Sequence, residues 1–199
     1  NNAPLAGNNN SSQVFVRGIG QTDPTSTVDP GVGIYIDDVY MGQSVGGTMD
    51  FRDIASVQVL RGPQGPLFGR NTVGGAIIIN TVEPGNEREG TLKLSTGSDN
   101  LKQLFAGISV PFNDRFRARF TFGSKDQDGY VTRVSDGTDL GDTNFWTLTG
   151  KFVFDVTDNF EAKIQGDYTK ANENGSPLVF AASNENAIFQ RTVSLAAGC

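Results

Sequence analysis

Between residues 104 and 168 apolar and polar side chains alternate almost without a break, and no other feature limits the possible folds so strongly. Leu104, Ala106, Ile108, Val110 and Phe112 share one parity, with Gly107 and Ser109 among the residues between them. Phe116, Ala118, Phe120 and Phe122 alternate with Arg115, Arg117, Arg119 and Thr121. Trp146, Leu148, Gly150, Phe152, Phe154 and Val156 alternate with Thr147, Thr149, Lys151, Val153 and Asp155. Phe160, Ala162, Ile164, Gly166 and Tyr168 alternate with Glu161, Lys163, Gln165 and Asp167. A strand turns successive side chains to opposite faces, so this pattern predicts antiparallel strands with one apolar and one polar face. "TLKLSTG" at Thr91–Gly97 is a shorter example.

The connections between these strands differ in length. Residues 113–115 and 157–159 predict tight turns, whereas 124–144 and the tail after 170 are long and rich in Asp, Asn and Gly. Opposed residues must share a face, so Phe112 is expected opposite Phe116 and Val156 opposite Phe160. That register predicts three-residue loops, Asn113–Arg115 and Thr157–Asn159, each a type I turn closed by a left-handed residue. Phe112, Phe116, Phe154 and Phe160 flank the tight turns, while Trp146 and Tyr168 lie towards the other end. Short turns at one end, long loops at the other and two aromatic girdles are features of a membrane barrel. A soluble sandwich also alternates apolar and polar residues, and the strands by themselves leave both readings open.

Composition narrows the function classes. The net charge of −6 argues against a nucleic-acid partner, whose phosphates need a basic face. Histidine is absent, which removes the commonest general base and metal ligand. The one cysteine, Cys199, allows neither an internal disulfide nor a zinc cluster. No window approaches the roughly 18 apolar residues of a spanning helix, which leaves strand-crossing barrels open.

Residues 1–13 are polar and turn-rich and predict loop. From Val14 to about Pro84, short apolar runs separated by Gly, Pro, Asp and Thr predict a compact mixed domain, with one helical turn near Asp50–Ala55. Its most unusual segment is "VLRGPQGPLFGRNTVGGAIIINT", Val59 to Thr81, with five glycines and two prolines. A phosphate loop needs Lys and Ser/Thr after its last glycine and a helix to follow. Here Gly69 is followed by Arg70-Asn71-Thr72 and then by a β-like run. The glycines are better explained as positions of positive φ and close backbone approach.

"VFVRGIG", "VGIYIDDVYMG" and "DIASVQVLRGPQGPLFGRNTVGGAIIINT", in that order and spacing, resemble the plug domain of TonB-dependent outer-membrane receptors. Arg17-Gly18, Leu60-Arg61-Gly62-Pro63-Gln64-Gly65, Phe68-Gly69, Asn71 and Gly74-Gly75 carry the likeness. The chain departs from the family at Ala55-Ser56 and Gln58, where acidic residues are common, and at Phe68, where Tyr is usual. The resemblance implies a mixed α+β plug over residues 1–84, its first part missing, and then antiparallel strands of an incomplete transmembrane β-barrel over 85–199. The parent barrel is expected to have 22 strands, the size that holds a plug. About five strands would leave two unpaired edges, so the resemblance implies a fragment.

The function so implied is ligand-gated, energy-coupled import of a scarce solute across the bacterial outer membrane, most often a ferric siderophore. Glycans, cobalamin and haem are the other cargoes, and some members of the family signal to a regulator. The implied partners are outer-membrane lipid, a TonB-type inner-membrane protein reached through an N-terminal segment, and a small-molecule ligand such as an iron chelate. No enzyme activity, cofactor or nucleic acid is implied. A soluble enzyme would instead need a carboxylate pair in a cleft, and none stands out.

The polar strand residues Arg115, Arg117, Arg119, Lys151, Glu161, Lys163 and Asp167 would face the lumen. Arg17 and Arg61 are singled out because plug arginines of the family pair with carboxylates on the barrel wall; the plainer description is a surface arginine at a strand end. The family's ligand-facing apices map to about 20–33 and 40–51, which nominates Gln21, Asp23, Tyr40 and Gln43, though turn formation explains each of them as well. Asp37-Asp38 is read as turn chemistry, and "DGTDLGD" at Asp136–Asp142 as an exposed loop, since it lacks the spacing and terminal Glu of a calcium loop.

Overall fold

A computed structural model describes residues 14–20, 29–42 and 53–175. The first part is a small domain of short strands. Strands β1 (Phe15–Val16) and β2 (Ile19–Gly20) form a hairpin closed by Arg17-Gly18. Four further strands make one sheet in the order β4-β3-β6-β5: β3 (Val32–Ile36), β4 (Val39–Met41), β5 (Ile54–Arg61) and β6 (Gly75–Thr81). β3 runs parallel to β6, and the other two pairs are antiparallel. A central strand is covered on both faces, which suits the continuous apolar run of β3, buried along its whole length. Ile34, Ile36 and Ile79 form the core of the domain, with Val14, Met41 and Ile77 packed against them.

The one-turn helix α1 lies at Gly65–Phe68, inside the glycine-rich stretch. Sequence reasoning placed a helical turn near Asp50–Ala55 instead. Residues 50–52 lie outside the described residues, and Ile54 and Ala55 begin β5. Pro66, in the first helical positions, explains the difference, because its fixed φ is already helical and it needs no amide partner there.

The second part is a five-stranded antiparallel sheet in the order β13-β12-β9-β8-β7. Its strands are β7 (Glu89–Thr96), β8 (Lys102–Asn113), β9 (Phe116–Gln127), β12 (Thr143–Thr157) and β13 (Phe160–Ala171). A small hairpin of β10 (Val131–Thr132) and β11 (Asp139–Leu140) rises from the long connection between β9 and β12. At 12 and 15 residues, β9 and β12 exceed the roughly 9–11 that a tilted strand needs to cross a bilayer.

Parity sets the register as expected. Pro111 pairs with Arg117 and Asp155 with Glu161, but Phe112 and Val156 are not the partners of Phe116 and Phe160. The hairpin ends differ from expectation. The ladder shifts by one residue after Pro111 and after Asp155, so that Asn113 pairs with Phe116 and Thr157 with Phe160 across two-residue turns. Neither Arg115 nor Asn159 has a positive φ. A bulge at each strand end takes up the odd residue, so no left-handed position is needed.

One face of the five-stranded sheet carries Leu92, Leu94, Ile108, Leu148, Ile164 and Tyr168, all exposed. No described element covers this face, as the second layer of a sandwich would. Phe112, Phe116 and Phe154 stack at the tight-turn end, and Trp146 packs with Tyr168 and Phe122 towards the other. The opposite face is polar and meets the small domain.

Candidate functional site

The seam between the small domain and the polar face of the sheet gathers most of the charged side chains that interact over long range. Its deepest member is Arg119 of β9, with 5% of its side chain exposed. It pairs with Asp53, the residue preceding β5, and donates a 2.7 Å hydrogen bond to the Ser109 hydroxyl on β8. Gly107 makes the room for this pair. A Cβ there would stand 3.2 Å from the Arg119 guanidinium and 3.7 Å from the Asp53 carboxylate.

A second contact is built on the β3–β4 turn. Asp37 and Asp38 both have positive φ, and Ile36 pairs with Val39 across them, which is a type I′ geometry that Asp tolerates. The Asp37 carboxylate accepts hydrogen bonds from the Thr81 amide at 2.8 Å and the Thr81 hydroxyl at 2.7 Å, and meets the Lys151 ammonium at 3.1 Å. Burial by itself would push this carboxyl up. The Thr81 bonds and the Lys151 charge outweigh it and hold the group below the usual carboxylate range.

The segment joining the two parts, residues 82–88, is fastened as well. The Val82 amide donates to the Asp53 carbonyl, Lys163 meets Glu83 at 2.7 Å, and Arg117 donates to Asn86 at 2.9 Å. Arg117 is further held by Asp155 and Glu161 of the sheet itself. A cavity of about 780 Å³ opens beside the seam, lined by Asp37, Asp38, Glu83, Lys151, Lys163 and Asp167 among others.

The predicted lumen residues on the strands therefore lie on the polar face; Arg119 and Lys151 contact the small domain directly, and Arg117 and Lys163 contact the joining segment. Arg115 pairs with Asp158 at the exposed rim. Their partners Asp53, Glu83 and Asn86 are isolated polar residues near strand ends, which carry no signal in the sequence. Asp37 was noticed, but only as a turn residue.

The nominated arginines of the small domain sit elsewhere. Arg17 has φ 52° and with Gly18, φ 82°, forms the type I′ turn of the first hairpin. Arg61 ends β5 and is exposed. Neither forms an ion pair among the described residues. The pairs that do cross the seam run in the opposite sense, from carboxylates of the small domain to cations of the sheet.

The glycine-rich loop is held together by backbone hydrogen bonds. Gly62, Gly69 and Asn71 have positive φ. The Gly62 amide donates to the Gly74 carbonyl, Gln64 to Thr72 and Gly74 to Gly31. Gly75 has φ 148°, and a Cβ there would fall 2.2 Å from the Leu60 carbonyl oxygen, which no side chain allows. Pro63 and Gly65 lead into α1. The Tyr35 hydroxyl donates to the Phe68 carbonyl at 2.6 Å, and Asn71 donates to the Tyr40 hydroxyl at 2.8 Å. Burial and then the neighbouring Tyr40 push the Tyr35 hydroxyl up, so it stays a donor.

Of the four nominated apex residues only Tyr40 is described, and its ring packs on Tyr35. Gln21, Asp23 and Gln43 lie outside the described residues. In the 136–142 segment Asp136 is engaged by Arg133, whose guanidinium holds it well below the usual carboxylate range. No cluster of metal-ligating side chains occurs among the described residues.

The TonB-dependent receptor plug domain family matches residues 3–76. A curated relative, the vitamin B12 transporter BtuB of Vibrio vulnificus, is 27% identical over 158 residues, 78% of this chain and 25% of the relative. The pesticin receptor of Yersinia enterocolitica is 30% identical over 65% of this chain and 17% of its own length. The crystal structure of the ferric yersiniabactin uptake receptor FyuA from Yersinia pestis superposes with a TM-score of 0.72 at 27% identity, covering 82% of this chain and 26% of that one. The siderophore receptor PiuA from Acinetobacter baumannii shares the fold, with a TM-score of 0.65 at 19% identity over 83% of this chain and 21% of its own. The chain spans about a quarter or less of the length of the curated relatives it matches.

Proposed function

Because this chain belongs to the TonB-dependent outer-membrane receptors, we propose that it supplies the plug and leading barrel strands of a ligand-gated importer, with the division at residues 84–85. Receptors of this family lie in the bacterial outer membrane and are not enzymes. The cargo is a small solute captured at the extracellular side, most often an iron chelate. A TonB-type protein of the inner membrane draws on the plug to open the lumen.

The observation that carries this reading is the chemistry of the seam. The contacts from plug to wall are ion pairs in a polar lumen, namely Asp53–Arg119, Asp37–Lys151 and Glu83–Lys163. Each is directional and exchangeable with water, so a pull can release the contacts one at a time, which a continuous apolar interface would resist. The outward apolar face meanwhile suits lipid.

An iron chelate is favoured by the likeness to a receptor titled for ferric yersiniabactin uptake. Cobalamin is the second reading, favoured by the likeness to a vitamin B12 transporter. The test is a receptor-deleted strain complemented with the full-length gene and supplied with ferric chelates, haem, cobalamin or glycans as limiting nutrients. Growth on one or more iron sources supports the first reading and growth on cobalamin alone the second. Growth on none would remove the import reading.

A further inference from the structure

Resting on the importer reading, we propose that Arg119 and Lys151 form a concealed anion site in the lumen wall, occupied at rest by the plug's own carboxylates and taken over by an anionic solute in transit. The two residues are direct partners across β9 and β12 and lie on the same inward face. Like charges opposed in this way destabilise a sheet unless something neutralises them. Among the described residues that neutralisation comes from the plug: Asp53 meets Arg119 and Asp37 meets Lys151. The sheet itself gives Arg119 the neutral hydroxyl of Ser109.

The neighbouring cations are arranged differently. Arg117 keeps Asp155 and Glu161, both sheet residues, whatever the plug does. Lys163 keeps Glu161 at 3.5 Å. When the plug moves, Arg117 and Lys163 therefore stay neutralised, and Arg119 and Lys151 are bared side by side. Two like charges opposed across the ladder repel each other, and an anion entering with the solute offsets that repulsion. The guanidinium fork of Arg119 suits a carboxylate or another group with two anionic oxygens, and Lys151 adds a point charge beside it.

Space is already present on one side. The 780 Å³ cavity is bounded by the Asp37-Asp38 turn, Glu83, Lys151 and Lys163 and reaches Lys151 but not Arg119, so an anion there competes first with Asp37. Asp167 lines the same cavity and would oppose an anion drifting along β13. The site thus selects solutes carrying carboxylate or comparable anionic oxygens over neutral ones.

A charge swap separates this role from docking alone. Full-length receptor carrying Asp37→Lys with Lys151→Asp keeps the ion pair and reverses the wall's contribution. The probes are one negatively charged ferric chelate, ferric citrate, and a panel of neutral ones, with protease protection of the plug measured in parallel. Asp37→Lys loses the Thr81 bonds and must take a positive φ, so uptake is read as a ratio within the variant. We expect uptake of the charged chelate reduced about tenfold or more relative to neutral ones, as for losing one charge-assisted bond. Wild-type protection with unchanged relative uptake would overturn the proposal. If the swap does not assemble, Asp37→Asn with Lys151→Gln, which leaves the pair neutral, is read in the same way.

A ligand-free measurement completes the test. In planar bilayers under a KCl gradient, with the plug loosened by urea, the swap should shift the reversal potential towards cations, and no shift would overturn the anion site. A shift in a receptor that imports none of the probes would sink the importer reading and leave the site standing.

Discussion

In the four-stranded sheet Ile34, Ile36 and Ile79 are buried, whereas in the five-stranded sheet Leu92, Leu148 and Ile164 lie outside and Arg119 is among the most buried residues. The first sheet follows the ordinary rule for a domain in water. The second inverts it, because its outer neighbour is hydrocarbon and its inner neighbour is a polar plug. Burial in the second sheet therefore includes paired charges beside the small Phe105–Phe145 cluster, and part of its stability depends on a domain that precedes it in the chain.

That contrast can be broken most severely at Arg119. Arg119→Met in the full receptor leaves Asp53 at the seam without its cation, with an expected loss of about 3–5 kcal/mol of plug docking, read as protease sensitivity of the 53–82 region. On the outer face, Leu148→Arg places a charge against lipid near the middle of β12. It should cost about 2–4 kcal/mol in refolding into bilayers, and an unaffected variant would contradict the lipid-facing assignment. Within the four-stranded sheet, Gly75→Ala forces a Cβ onto the Leu60 carbonyl and should cost about 1–3 kcal/mol in thermal stability of the plug. Lys163→Ala should cost less than about 1 kcal/mol, since its pair with Glu83 is half exposed.

The gentlest probe is pH. The Asp37 carboxyl is held below its ordinary value in the folded protein, so its contribution is fully present above the ordinary carboxylate pKa of 3.8. It is lost as the pH falls through the lower, folded value. Protection of the Thr81 amide, corrected for intrinsic exchange, should decline over that acidic window in wild type and stay flat in Asp37→Asn.

What could be read from the sequence was local. Parity along each strand gave the right face for Leu148 and Lys151 and the ladder that pairs Pro111 with Arg117, because a slip of one residue would reverse both faces. The hairpin ends escaped, since parity does not say whether an odd residue enters the turn or a bulge. The seam escaped for a different reason. Arg115, Arg117 and Arg119 occupy equivalent places in the alternation, yet one is exposed at the rim and another is nearly buried. What distinguishes Arg119 is Asp53, 66 residues away, together with the missing side chain of Gly107. Neither is visible until the chain has folded back on itself. Most glycines of the 62–75 segment could be assigned a backbone role because positive φ leaves a strong local mark, as Gly62 and Gly69 do.

Tyr35 lies on β3 and Asp37 is the first residue beyond its end, and the Tyr35 hydroxyl donates to the Phe68 carbonyl. A single short rod of backbone thus has the glycine arch at one side chain and the Lys151 clasp near its tip. Any displacement of the arch is delivered to the clasp without passing through soft loop, so a reporter placed on either should register motion of the other.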